Sequence, residues 1–148
     1  MIRVASREQI PRSLESVSVF EEARSFFSTL EKEVPGDIDL ATLRSPRELD
    51  GLELAIVEGE FGVAENAAVW VDAQHLKQRA VLFLAEHLIL VVSADEMVHN
   101  MSDAYRRLSF PSASFGLFIS GPSKTADIEQ SLVIGAQGPR SLLVLLIG

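Results

Sequence analysis

The sequence predicts an α/β domain, a layered and mostly parallel sheet with helices flanking it. Three observations carry that prediction. Apolar runs such as LILVV at 88–92 and LLVLLI at 142–147 do not alternate with polar residues, which is the pattern of strands covered on both faces. Stretches with helical spacing of apolar residues fall between such runs, and alternating strands and helices build layered domains. With 148 residues, 47% of them hydrophobic and eight of them Phe, the chain can bury a core of its own. The expected organisation is a single domain over 1–148, with a helical N-terminal region at 1–49 and an α/β core at 50–148 that carries the motifs.

Taken in order, the first 17 residues show no readable pattern. Ser18-Val19-Phe20-Glu21 has the form of a capping box, and Phe20, Ala23, Phe26, Phe27, Leu30 and Val34 follow on one helical face until Pro35-Gly36 stops it. Short apolar runs at 52–57, 68–71, 81–84, 88–92, 115–119 and 142–147 read as strands. A second box, Ser93 to Glu96, is expected to open a helix with Met97, Met101, Ala104, Tyr105 and Leu108 on one face. These stripes read as core packing. After the strand at 115–119 comes a loop, then a helix capped by Ser123 or Thr125, with Ile128 and Leu132 inward and Gly135 at its end.

Composition narrows the chemistry. The net charge of -8 and the lack of a Lys/Arg run beyond Arg106-Arg107 disfavour nucleic acid and anionic membrane surfaces. No apolar run reaches the roughly 18–20 residues of a membrane span, and MIRVASREQIPRS lacks a signal-peptide core, so a cytoplasmic location is expected. Without cysteine, the chain can supply no thiol nucleophile, disulfide, cysteinyl zinc or Cys-ligated iron–sulfur cluster. His75, His87 and His99 are not spaced as paired ligands, and no metal site or other cofactor is expected.

Three loops carry chemistry. In Ser120-Gly121-Pro122-Ser123-Lys124-Thr125, Gly121 permits close backbone approach, and Ser120, Ser123, Lys124 and Thr125 can address a polar or anionic ligand. Asp127 and Glu129 fall near the expected helix start, where an ordinary helix cap explains them equally well. The Gly-x-x-x-x-Gly-Lys-Ser/Thr spacing of a nucleotide loop is absent. The acidic loop from Glu58 to Asn66 offers Glu65 as a base, acid or acyl nucleophile, while Glu58 and Glu60 read as a solvated turn. In Gln137-Gly138-Pro139-Arg140, Arg140 can hold a carboxylate or phosphate, or simply lie at the surface.

VEGEFGVAEN at 57–66, AEHLILVV at 85–92, SGPSKTADIE at 120–129 and GAQGPRSLLVLLI at 135–147 together resemble the LUD domain family, that of lactate utilization protein C. The resemblance covers roughly 50–148. It implies a fold of the NagB/RpiA/CoA-transferase-like kind and a role in bacterial oxidation of L-lactate to pyruvate, alongside partner proteins that carry iron–sulfur clusters. The family commonly has His-Gly-Pro where this chain has Gln137-Gly138-Pro139, and Ala-Glu-Thr-Gly where it has Ala64-Glu65-Asn66-Ala67. An amide at 137 hydrogen-bonds but does not shuttle protons as imidazole does.

The leading expectation is a cluster-free accessory subunit that binds a small carboxylate or phosphate at the 120–129 loop. Glu65, Asn66, Gln137, Gly138 and Arg140 would face the same crevice. The alternatives are an acyl/CoA-transferase-like or sugar-phosphate enzyme with Glu65 as the acidic catalytic residue, and an assembly subunit whose loops face a protein.

Overall fold

The computed structural model of the chain describes residues 1–108, 115–122, 124–126, 132–134 and 138–148, with the backbone alone for 124–126 and 132–134. The N-terminal part comprises β1 (Ile2–Val4), α1 (Ile10–Leu14), α2 (Ser18–Glu22), β2 (Phe26–Ser28), β3 (Leu54–Glu58), β4 (Phe61–Val63) and β5 (Ala68–Asp72). There follow α3 (Val81–Leu84), β6 (His87–Ser93), β7 (Met97–Val98), α4 (Met101–Arg107), β8 (Gly116–Ile119), β9 (Lys124–Ala126), β10 (Leu132–Ile134) and β11 (Ser141–Ile147).

Five strands form a parallel sheet in the order β1-β11-β6-β3-β2. β6 lies at its centre and is paired along its length, Leu142↔Leu88 on one side and Ala55↔Leu88 on the other. Its successive side chains enter opposite cores, as the pleat requires. Leu88, Leu90 and Val92 join Ala55, Val57, Leu142 and Val144 on one face. Ile89 and Val91 join Leu54, Ile56 and Leu145 on the other, where Ile10 and Leu14 of α1 cover them. The unbroken apolar runs therefore reflect a sheet covered twice, as expected.

The second sheet has four strands in the order β7-β4-β5-β8, with β5 antiparallel to both β4 and β8. Val69 and Val71 of β5 pack toward the first sheet, and the alternate residues Ala68 and Trp70 pack outward. The outward face is closed by Ala104 of α4 and by Phe61 and Phe118, the latter with its ring centroid 4.8 Å from that of Trp70. The molecule is thus layered as helix, sheet, sheet, helix.

Four local expectations are corrected. The helix from Ser18 to Val34 stops at Glu22, and Ser18 forms no cap, because Phe26–Ser28 pairs in parallel with 54–56 instead. Residues 1–49 thereby contribute two strands as well as short helices. Pro35-Gly36, read as a helix stop, turns the chain back onto the free edge of β2, where Asp37 Oδ1 accepts the Phe26 N–H at 2.7 Å. A Cβ on Gly36 would stand 2.7 Å from the Ser28 nitrogen, so only glycine allows this approach.

The run at 81–84 is a helical turn and not a strand; four apolar residues fit either, and here only Val81 and Leu82 are buried. Ser93 does cap, with its Oγ accepting the Asp95 N–H, but it opens a single 3₁₀ turn at Ala94–Glu96. The α-helix begins at Met101 under a different cap, Asn100 Oδ1 accepting the Asp103 N–H at 2.9 Å. Finally, Lys124–Ala126 and Leu132–Ile134 form an antiparallel ribbon where a helix was expected. Among the described residues, no helix is long and apolar enough to cross a membrane.

Because Ile89 is fully buried at the centre of the sheet, Ile89→Ala should cost about 2–5 kcal/mol, and the partly buried Leu143 distinctly less when truncated. Denaturant midpoints with unchanged slopes would check the order.

Candidate functional site

All five strands of the first sheet run the same way, so their carboxyl ends share one edge. Val4 of β1 is in register with Ile147 of β11, Ser93 of β6 with Ile147, and Glu58 of β3 with Val91 of β6. Open parallel sheets place ligands at that edge, where the connections leave room between them. A cleft of about 730 Å³ lies there, with Glu58, Ser93 and Ile147 at strand ends. Gly59 and Glu60, which carry the chain from β3 into β4, line it as well, as do Asp72 at the end of β5 and His75 just beyond it. A Cβ on Gly59 would meet the Val69 side chain and approach the Trp70 carbonyl oxygen to 3.1 Å, so this turn needs glycine.

The charged groups are organised in pairs. Arg7, just beyond β1, donates from Nε to Glu33 at 2.8 Å and from Nη1 and Nη2 to the two oxygens of Glu58 at 2.5 and 3.2 Å. This two-pronged bond matches the planar fork of a guanidinium to a carboxylate. The bonds to Glu58 and Glu33 raise the Arg7 pKa further, and the bond from Arg7 holds the Glu33 carboxyl below its ordinary range. Arg107, in the last turn of α4, also lines the cleft; it pairs with Glu96 and lies 4.8 Å above the Phe61 ring. With Glu58, Glu60, Asp72 and Glu96 against Arg7 and Arg107, carboxylates are in excess in the cleft. Among the described residues, no group of three or more Asp, Glu or His is placed to hold a metal ion.

The residues chosen from the sequence lie elsewhere. Glu65 is exposed in the β4–β5 turn, where its Oε2 accepts the Met101 N–H at 3.0 Å and its own N–H reaches the His99 carbonyl. It caps α4. Asn66 in the same turn accepts the Ala68 N–H through Oδ1, and its carbonyl accepts the Ser120 hydroxyl at 2.7 Å. Glu65, Asn66, Ser120 and Gly121 are therefore brought together. Arg140 sits at the amino edge of the parallel sheet, its N–H and guanidinium both on Glu86 at 2.7 and 2.5 Å, and Gly138 shortly precedes it. Lys124 and Thr125 belong to β9. Ser123, Asp127, Glu129 and Gln137 lie outside the described residues.

Glu65, Asn66, Ser120, Gly121, Gly138 and Arg140 are not among the described residues that line the cleft; Glu58 and Glu60, read from the sequence as a solvated turn, are. The usable signal was position, since Glu58 closes an apolar run in an expected parallel sheet. Arg7 and Glu33 had none, because they come from segments with unreadable or misleading patterns. The family's glycine after Glu-Thr corresponds to Ala67, whose φ of 54° is left-handed. The backbone thus explains why glycine suits this turn.

A family model described as the LUD domain matches residues 24–147. Lactate utilization protein C of Shouchella clausii is 32% identical over 101 residues, covering 65% of this chain and 44% of that protein. The protein of the same name from Halalkalibacterium halodurans is 33% identical over 93 residues, covering 59% and 40%. Lactate utilization protein C 1 of Bacillus mycoides is 35% identical over 97 residues, again covering 59% and 40%. The chain spans less than half the length of these curated relatives. Its fold is similar to that of a DUF162 family protein of Deinococcus radiodurans seen in a crystal structure, with a TM-score of 0.58 at 17% identity, covering 99% of this chain and 88% of that one.

Two outcomes are expected from these contacts. Ala67→Gly should stabilise the fold by about 0.5–1 kcal/mol by relieving the left-handed alanine, read from chemical denaturation. Protonating Glu33 breaks its bond to Arg7, so that pair stabilises the fold above pH 4.5 and ceases to as pH falls through the lowered Glu33 value. Arg7→Met should therefore lower the melting temperature most near neutral pH and least in acid, flattening the acid limb of the stability profile.

Proposed function

The chain belongs to the LUD domain family, and on that premise we propose that it serves lactate utilization by binding a small carboxylate in the cleft at the carboxyl ends of β1, β3, β6 and β11. One observation carries the reading: the cleft occupies the edge where open parallel sheets receive ligands, and it holds a guanidinium already fitted to a carboxylate. Oxidation of L-lactate to pyruvate releases two electrons and two protons. A chain without cysteine cannot ligate a cluster through thiolates, so the electrons belong to partner proteins with iron–sulfur centres, and this chain is a cluster-free accessory subunit. Ser120 and Gly121 of the 120–129 loop are the rival ligand position. Acyl or CoA transfer through Glu65 would require a carboxylate free to attack, whereas Glu65 is engaged at the start of α4.

Titration with L-lactate and pyruvate tests the binding. A ligand at ten times its dissociation constant adds about 1.4 kcal/mol, or roughly 3–5 °C in melting temperature for a domain of this size. A rise that persists in Ser120→Ala supports the cleft, and one abolished by that change supports the 120–129 loop. No rise with either acid at millimolar concentration would overturn the binding role. Co-purification with iron–sulfur proteins, from cells grown on lactate, tests the accessory role separately.

A further inference from the structure

Arg7 lines the cleft, and both of its partners come from other segments, Glu33 from the loop after β2 and Glu58 from the end of β3. The two partners differ. Glu33 takes only Nε and is largely covered, with 19% of its side chain exposed; Glu58 takes both Nη groups and is 44% exposed. The Nη edge is the part of the fork that receives a planar carboxylate through two parallel bonds. In the present structure that seat is filled by the protein's own carboxylate, the partly exposed Glu58.

Building on the carboxylate-binding role above, we infer that Glu58 is an internal stand-in for the ligand. The incoming acid takes its place on the Nη edge of Arg7 while Glu33 keeps Nε and holds the guanidinium in position. Exchange of one carboxylate for another leaves the charge around Arg7 unchanged, and the displaced Glu58 is already half in water. The surroundings also set the ligand class. Glu60, Asp72 and Glu96 line the same cleft, and Arg107 is already paired with Glu96. Among the described residues that line the cleft, His75 aside, a second negative charge on the ligand would meet carboxylates and no guanidinium or ammonium outside an ion pair, so the site selects small monocarboxylates over dicarboxylates and phosphate esters. Glu58 and Arg7 are thus the specificity-determining pair: the guanidinium demands a carboxylate, and the glutamate sets the threshold that a ligand must exceed.

The test is calorimetric titration of the full chain, as wild type, Glu58→Gln and Arg7→Met, with L-lactate, lactamide and malate. Glu58→Gln should bind lactate roughly threefold to fivefold more tightly than wild type, the size of an exposed ion pair. Arg7→Met should lose binding, lactamide should fail throughout, and malate should bind several-fold more weakly than lactate. A gain of affinity in Glu58→Gln cannot arise from misfolding, so that variant keeps the test decisive even if Arg7→Met is unstable. Lactate binding that is equal in wild type and Glu58→Gln overturns the exchange while leaving the carboxylate-binding role intact. Malate binding as tightly as lactate overturns the charge selection. Absence of lactate binding in wild type and Glu58→Gln alike overturns the binding role and the exchange together.

Discussion

The rest of the structure depends on β6. His87–Ser93 pairs with β11 over all seven residues on one side and with β3 over the first five on the other, and the side chains at 88–92 enter two different cores. A strand in that position has no face for water, which is why LILVV carries no polar residue. Once β6 is placed, the direction of β3 and β11 follows, and with it the common edge at which Glu58, Ser93 and Ile147 end. The cleft is a consequence of parallelism: strands that run together must send their connections out together.

The second sheet completes the arrangement because β3 passes into β4 through only Gly59 and Glu60. Backbone bonds hold this junction, from the Gly59 N–H to the Val91 carbonyl at 2.8 Å and from the Glu60 N–H to the Trp70 carbonyl at 2.9 Å. The wall of the cleft is therefore bonded to the central strand on one side and to β5 on the other. Arg107 reaches the same cleft from α4, which the aromatic cluster of Phe61, Trp70 and Phe118 seats against the outer face. Scaffold and cleft share these residues, so packing and site geometry are coupled.

The fold class and five of the six expected strands were legible in residue order, since runs such as 52–57 and 142–147 are apolar beyond what one buried face requires. Boundaries and short pieces were less so. Phe26, Phe27 and Leu30 have helical spacing, yet parallel pairing of Phe26–Ser28 with β3 fills backbone bonds and buries Phe27 in one core while Leu30 enters the other. VLFL at 81–84 is too short for periodicity to decide between helix and strand. The candidate site was legible only in part. The β4–β5 turn and Ser120 do meet, as the motif pattern suggested, but Arg140 faces Glu86 at the amino edge of the sheet, away from the strand ends that line the cleft.

By itself the sequence determined the layered α/β class, the exclusion of cysteine-based chemistry from these 148 residues, and the family to which the chain belongs. Those follow from composition, from runs of apolar residues and from local motifs, all of which are properties of neighbours along the chain. Tertiary structure alone decided that Arg7, Glu33 and Glu58, separated by 26 and 51 positions from the first, form one ionic unit. It also decided that Glu65 serves as a helix cap. The physical reason is that a carboxylate's role depends on which donor lies within bonding distance. In a parallel sheet that donor is brought by crossovers between distant segments, whose meeting no local pattern records.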